Sequence, residues 1–356
     1  MTTFIQLHLL TSYPPANLNR DDLGRPKTAV MGGVQRLRVS SQSLKRAWRT
    51  SELFQRALDG HVGTRTKEMG SRVVLGRLTE AGIPKDDAEK WAQAIAVRFG
   101  KLKGTGGEIE QLAHFSPTEV AAVGTLTATI IAERRAPRED ELDALLQAHQ
   151  AAADIALFGR MLAANPAFNI EAAAQVAHAI SVHKVAIEDD YFTAVDDLNR
   201  CEEDMGAGHI GEIEFAAGLF YLYVCVDRDL LRDNLQGDEA LTTTTLQAIT
   251  EAAATVAPTG KQNSFASRAY ASYLLAEKGT CQPRSLAVAF LMPVSGQDMM
   301  TNAIATLNGT RMNMDKVYDA RNDVEPCIMN AVTGEGSLKN LLRFVSEPLP
   351  AKKNPS

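Results

Sequence analysis

Between Phe4 and Leu10 the chain alternates: Ile5, Leu7 and Leu9 fall on one side, Phe4, Gln6, His8 and Leu10 on the other, the two-residue period of a strand. The following stretch, TSYPPANLNRDDLGRPKTAVMGG, is crowded with Pro, Gly, Asn and Asp and predicts an irregular loop. Loops of such length are uncommon unless they serve a function. After Val39 the period becomes helical: Ser40 or Ser41 can cap a helix running through SQSLKRAWRTSELFQRAL. Leu44, Ala47 and Trp48 then share one face, while Gln42, Lys45, Arg46 and Arg49 share another. One face packs and the other is basic.

From about His61 to Pro166 the pattern is Ala-rich and helical, broken at GTGGE and APRED, with EDELDALLQAHQAAADIALFGRML reading as a long helix entered at Pro137. The block is expected to fold as a helical insertion. Strand character returns in AAAQVAHAISVHKVAI, followed by the polar YFTAVDDLNRCEEDMGAGHIGEIEF and by GLFYLYVCV, apolar on both faces as a central strand should be. Asp238 to Val256 predicts a second long helix, ASYLLAE and SLAVAFLMPV predict further strands, and PLPAKKNPS looks disordered. The fold class is α+β. A β-α-(insert)-β-β-α-β order is the ferredoxin-like plan that RNA-recognition domains share, with 1–60 and 167–350 forming one discontinuous domain around an insertion at 61–166 and a disordered 351–356. Fold alone does not give function.

With 356 residues and 45% hydrophobic content the chain can bury a sizeable core. Its four cysteines (Cys201, Cys225, Cys281, Cys327) form no CxxC pair, so neither a disulfide framework nor a zinc site is expected. The N-terminus lacks a basic n-region and a small-residue cleavage site, and no apolar run approaches the roughly 20 residues that span a bilayer. A cytoplasmic protein with no membrane partner is the expectation. The net charge of −6 argues at first against a nucleic-acid partner, but residues 1–50 hold eight Lys or Arg against two Asp or Glu, a balance of +6, leaving −12 for the remainder. A basic segment on an acidic body fits a protein that grips an anion at one defined surface.

No GxxxxGK[ST], HExxH or GxSxG motif occurs, and GTGGE lacks the spacing of a dinucleotide turn, so no catalytic residue, cofactor or metal is assigned. His178 and His183, five apart in one expected strand, would point to opposite faces and read as structural. Asp21 and Asp22 carry two readings. Beside bound RNA either could position a 2′-hydroxyl for backbone cleavage; alternatively they balance Arg20 and Arg25 or organise a turn through Asx bonding.

The segments LNRDD, GGVQRLRVSSQSLKRA, VAHAISVHKV, YFTAVDDL and EFAAGLFYLY, in this order and with these gaps, closely resemble the CasC-type backbone subunits of type I-E CRISPR Cascade complexes, which belong to CRISPR-associated protein family seven of the repeat-associated RNA-binding superfamily. The resemblance fades across residues 61 to 160 and after about Gly260. It implies a palm with a modified RNA-recognition fold, helical fingers from the insertion, and a β-hairpin thumb at 187–214. It also implies head-to-tail copies stacked on one crRNA, other Cascade subunits as partners, and presentation of the guide to target DNA in antiviral defence.

The local chemistry fits that role. Arg20, Lys27, Arg38, Ser40, Gln42, Lys45, Arg46 and Arg49 supply charge and neutral donors in a loop and on one helix face, as tracking a phosphate backbone without reading sequence requires. Gly32 and Gly33 would let RNA approach the main chain. The competing view is a solvated basic helix with no ligand. Tyr191 and Phe192, beside Thr193, match family positions that wedge into the guide, with Ile210 across the hairpin; the alternative places both aromatics in the subunit's own core. Met161 matches a family position near the RNA. Finger residues that would hold target DNA do not match individually, and Arg134 and Arg135 are the candidates there. Two other functions stay open: an endoribonuclease using Asp21 or Asp22, and a protein scaffold without RNA.

Overall fold

The computed structural model describes residues 2–146, 152–194, 209–319 and 324–349. Its strands are β1 (Phe4–Ala16), β2 (Thr28–Met31), β3 (Val34–Val39), β4 (Thr64–Thr66), β5 (Ala113–Phe115), β6 (Ala174–Val176), β7 (Ala179–Ser181), β8 (Glu188–Ala194), β9 (His209–Asp227), β10 (Tyr273–Gly279) and β11 (Cys327–Asn330). Nine of them form one sheet in the order β11-β10-β1-β9-β7-β3-β2, with β6 and β8 also paired to β9, and every pairing is antiparallel. The chain is thus a mixed α+β protein.

The alternation of β1 decides the layers. Ile5, Leu7 and Leu9 enter the main core, which the helices Glu239–Thr255 and Leu338–Ser346 and the first two helices, α1 (Ser41–Arg49) and α2 (Glu52–Ala57), help to close. The opposite face is covered as well. There Leu10 packs with Tyr221, Tyr273, Leu275, Leu286 and Phe290 beneath the helix Met299–Val317. Gln6 and His8 are therefore buried, and each finds partners: Tyr223 donates to Gln6 Oε1 at 2.8 Å, and the His8 ring lies 2.9 Å from the Tyr221 hydroxyl and 3.2 Å from Glu277. Burial lowers the basicity of His8, with Glu277 opposing.

A separate core fills the insertion, built from Met69, Leu78, Ile95, Phe99, Phe115, Val123, Ile130 and their neighbours. The helix Pro117–Glu133 opens on a reciprocal capping box between Ser116 and Glu119. Two strands, β4 and β5, also lie in this block, which the sequence pattern presented as helical throughout.

Other departures have local causes. Part of the expected loop after Leu10 is strand: β1 continues through Pro14 and Pro15, with its register shifting between Tyr13 and Ala16 where the prolines supply no ladder donor. The expected single helix from Ser41 breaks at Thr50–Ser51, where Ser51 caps α2 by accepting from Phe54 N. Ser40 occupies the N-cap of α1 without a side-chain capping bond. The expected long helix after Pro137 is instead Glu139–Asp143 and Ala153–Phe158, the intervening 147–151 lying outside the described residues. SLAVAFLMPV is no strand but contains the 3-10 turn Ala287–Phe290; Leu286 and Phe290 are buried while Val288 and Leu291 are about half exposed, a helical rather than alternating period. The expected strand through His178 and His183 is split into β6 and β7. The CEED run and the PAKKNPS end also lie outside the described residues, and no helix among those described is long and apolar enough to cross a membrane.

Gly32 and Gly33 form the two-residue turn between β2 and β3, with φ of +61° and +76°. A Cβ on Gly32 would overlap the Leu291 carbonyl oxygen, whereas one on Gly33 would meet open space. The fold itself therefore requires these glycines. Gly33→Ala should cost about 1–2 kcal/mol, the left-handed penalty alone, and Gly32→Ala distinctly more; urea unfolding of the two variants side by side checks the order.

Candidate nucleic-acid interface

The Asn19–Lys27 segment folds back on itself. Arg20 and Pro26 form an isolated bridge, Lys27 N donates to Asn19 O, and Asp21 Oδ1 accepts from Leu23 N and Arg25 N, each at 2.9 Å. This is the Asx-type loop organisation foreseen as one of the two readings of Asp21; Asp22 is exposed. Asn19 Oδ1 accepts from Ser40 N at 2.9 Å, which ties the loop to the start of α1. Arg20 is exposed, Lys27 and Arg38 are half-buried, and Ser40 is buried.

The basic face of α1 stands as the sequence predicts: Leu44, Ala47 and Trp48 are buried, Gln42 and Arg46 exposed, Lys45 and Arg49 half-buried. This face forms one wall of a cleft of about 700 Å³. The other walls come from β4 and β5 of the insertion and from Phe158 to Met161. The cleft joins four predicted residues, Gln42, Lys45, Arg46 and Arg49, with a fifth, Met161, which is 73% exposed at its margin. It also adds Arg65, Lys67, His114 and Arg160, which the sequence reading missed. Arg65 on β4 and Lys67 just past its end, two apart, form a period-two signal hidden inside a block read as helical. Six cations, Lys45, Arg46, Arg49, Arg65, Lys67 and Arg160, thus stand against one lining carboxylate, Glu110.

Two of those cations are anchored. Arg160 is buried, bonds both Glu119 oxygens at 2.8 Å and the Phe168 carbonyl at 3.0 Å. Gly159 before it has φ of +78°, and a Cβ there would crowd Ile170 O at 3.0 Å. This glycine hook and buried arginine fix the chain that carries Met161. Arg49 lies 3.7 Å from Asp154, which accepts from Gly63 N and lies within hydrogen-bond distance of His114 Nε2, both at 2.8 Å. Burial pushes the Asp154 carboxyl up, but the His114 and Gly63 hydrogen bonds and Arg49 outweigh it and hold the group below the usual carboxylate range. Burial lowers the basicity of Lys45, whose Nζ sits 5.5 Å from the Phe158 ring centre.

Outside the cleft, Gly32 and Gly33 lie at the β2–β3 turn and the hairpin residues lie on β8 and β9. Tyr191 pairs with Glu212, Phe192 with Gly211, and Thr193 with Ile210; the Ile210 side chain lies outside the described residues. Tyr191 is 65% and Phe192 36% exposed, so neither belongs to the subunit's core. A Cβ on Gly211 would collide with the Phe192 ring, which lies across that glycine's backbone. The hairpin is otherwise acidic, with Glu188, Asp189, Asp190, Glu212 and Glu214. In the insertion, Arg135 is committed to Glu141 and Glu133, while Arg134 takes a left-handed conformation ending the helix Pro117–Glu133. Among the described residues no group of three His, Cys, Asp or Glu could hold a metal.

An antiparallel α+β sheet with a cationic cleft at the junction with its insertion, and an acidic hairpin bearing exposed aromatics, defines a protein with a surface suited to a polyanion. The family model described as CT1975-like protein matches residues 5–342. The chain therefore belongs to this family of CRISPR-associated proteins, as the resemblance to Cascade backbone subunits implied. A solved chain of a "CRISPR RNA-guided surveillance complex, pre-nicking" superposes with a TM-score of 0.81 at 28% identity, covering 96% of this chain and 99% of that one. A second, from a "CRISPR RNA-guided surveillance complex", gives 0.71 at 24% identity with the same coverage and shows the shared fold. No curated protein sequence matches the chain.

Because the folded Asp154 titrates below its unfolded value, its contribution is complete above about pH 4 and is lost as pH falls through the lower, folded value. Asp154→Asn should thus destabilise the protein at neutral pH and flatten the acid limb of its stability curve, read by urea midpoints across pH. Removing one partner of the Glu119–Arg160 pair strands a buried charge, so Glu119→Ala should cost about 3–5 kcal/mol, measured the same way.

Proposed function

We propose that this chain is a non-catalytic crRNA-binding backbone subunit of a type I-E Cascade complex. The observation that carries the reading is the cleft, where the α1 cations predicted from sequence meet Met161 and two further finger cations in a protein of the CT1975-like family. Lysine and arginine with neutral donors hold phosphates without reading bases, and sequence is left to guide pairing with target DNA. The β10-β1-β9-β7 order, with α1 following β1 and the helix Glu239–Thr255 following β9, is what a ferredoxin-like, RNA-recognition-type palm would have. Residues 61–166 would be its fingers.

The exposed Tyr191 and Phe192 suit a thumb that wedges into RNA held by the next copy. Its carboxylates suit the neighbour's cationic α1 face, so that assembly is head to tail and open. Other Cascade subunits would cap the filament, and antiviral defence in the cytoplasm is the corresponding role.

Purified from its native host with its companion proteins, the chain should carry RNA, seen as a nucleic-acid absorbance ratio; a lone, RNA-free protomer contradicts the proposal. Lys45→Glu with Arg46→Glu should abolish RNA-dependent assembly while leaving the thermal transition near wild type, since neither side chain is in an ion pair among the described residues. Single-site binding should weaken steeply with added salt. The endoribonuclease reading retains one point in favour, the exposed Asp22 beside Arg20. Complementary RNA incubated with the complex and Mg²⁺ should stay intact; regular cuts abolished by Asp22→Ala would transfer the assignment to the nuclease.

A further inference from the structure

The segment Val176–Ser181 brings a histidine to the cationic track that sequence reading had set aside. Val39 pairs with Ala179 and Arg38 with Ile180 across β3 and β7. Val39 and Ala179 are buried in the main core, so Arg38 faces the other way. On that same face, Lys27 is the next cross-strand neighbour of Arg38, whose N–H donates to the Lys27 carbonyl at 2.8 Å. One position beyond the Val39–Ala179 pair, His178 lies opposite Ser40 on the Arg38 face. Lys27, one residue before β2, therefore stands beside Arg38, and His178, one residue before β7, continues the row diagonally past Arg38.

The state of His178 is fixed by one bond. Ser41 N donates to His178 Nδ1 at 2.8 Å, so Nδ1 must carry a lone pair and the proton sits on Nε2. The ring is exposed, and among the described residues nothing else bonds it. Burial, Arg38 and Lys27 all lower its basicity, which keeps this tautomer. The first turn of α1 holds no acid. Lys27 and Arg38 are like charges side by side on neighbouring strands, an arrangement that costs stability, and neither is in an ion pair with any described carboxylate. An anion is what the row lacks.

We infer that His178 is an RNA-contacting residue: its neutral Nε2–H donates to a non-bridging phosphate oxygen held between Lys27 and Arg38. The inference rests on the RNA-binding reading above and adds a residue and a protonation state to it. His183, by contrast, is consumed internally: its Nε2 accepts from Leu219 N at 3.1 Å and its Nδ1 lies 2.8 Å from the Lys184 carbonyl oxygen.

Two near-isosteric variants separate the roles of the ring nitrogens. Asn at 178 places its carbonyl oxygen where Nδ1 accepts from Ser41 but has nothing at Nε2; Gln places an N–H donor near Nε2. Binding of a fluorescein-labelled oligouridylate would be measured by anisotropy for the full chain. His178→Asn should fold as wild type and bind roughly tenfold more weakly, and His178→Gln should recover much of that loss. Wild-type affinity should stay level from about pH 8 to 6, because protonating Nδ1 would sacrifice the Ser41 bond.

Wild-type affinity in His178→Asn, or loss confined to His178→Gln, would overturn the assignment and leave His178 as a helix anchor. A steep gain in affinity toward pH 6 would overturn the neutral donor in favour of an imidazolium. If the wild-type chain itself bound no oligouridylate while Lys45→Glu, Arg46→Glu behaved identically, the broader RNA-binding reading would fall, and this assignment with it.

Discussion

One buried carboxylate joins the two cores. Asp154 sits on the short helix Ala153–Phe158 and accepts from Gly63 at the entrance to the insertion. It also meets His114 on β5 and Arg49 on α1. A single side chain thereby fixes the relative position of the walls that form the cleft. The site needs this because its other cations repel one another and supply no cohesion of their own. Arg160 with Glu119 repeats the arrangement deeper in the insertion, where a buried pair sets the chain carrying Met161. A buried pair is weak evidence for net stability, but it is geometrically exacting.

The far side of the sheet solves a different problem. A sheet of this kind could leave one face to solvent, yet here both are covered, and the second cover encloses polar groups. Gln6, His8, Glu277, Tyr221 and Tyr223 meet Arg284, which in turn reaches Asp315. Arg284 joins Gln6 of β1 and Glu277 of β10 to the segment following β10, and through Asp315 it reaches the helix Met299–Val317. Apolar packing alone would hold that cover without fixing its register, whereas a satisfied polar network is directional. Arg36 does the same at the other end, donating to the carbonyls of Ser181 and Phe290 and so seating the 3-10 turn against the β2–β3 hairpin.

Sequence was most informative where one period ran unbroken. β1, the core of β9, β10, the helix Glu239–Thr255 and the two faces of α1 all follow patterns set by which side is buried. It was least informative where local chemistry and tertiary contact disagree. Pro14 and Pro15 looked like loop, but the long partner strand β9 carries β1 past them through a bulge. SLAVAFLMPV looked like strand because the apolar run Leu286 to Val294 carries no period of its own; the carbonyls bound by Arg36 and the contact at Gly32 decide it. The α1 portion of the site was legible because helical spacing collects Gln42, Lys45, Arg46 and Arg49. Arg65 and Lys67 were not, because their nearness to α1 depends on how the insertion folds back. Gly32 and Gly33 were noticed for a ligand and turn out to be required by the turn itself.

The charge pattern has the same logic on the hairpin. Asp189 lies directly opposite Glu214, and Tyr191 opposite Glu212, so one face of the ribbon gathers like charges that should weaken it. Arg25 relieves part of this through Glu214 at 3.2 Å, and Asn17 ties the Glu214 carbonyl to the Gly24 carbonyl. Thus the base of the hairpin is pinned by the loop that also carries Arg20. A two-stranded ribbon that is anionic and exposed over its described length gains little stability from its own subunit. Phe192 compensates locally by covering Gly211, which spares that strand a bare backbone. The remaining deficit is of the kind a complementary, cationic surface relieves. A chain that carries such a surface on α1 therefore holds both signs of charge on its own surface, which is what the proposed head-to-tail assembly draws on.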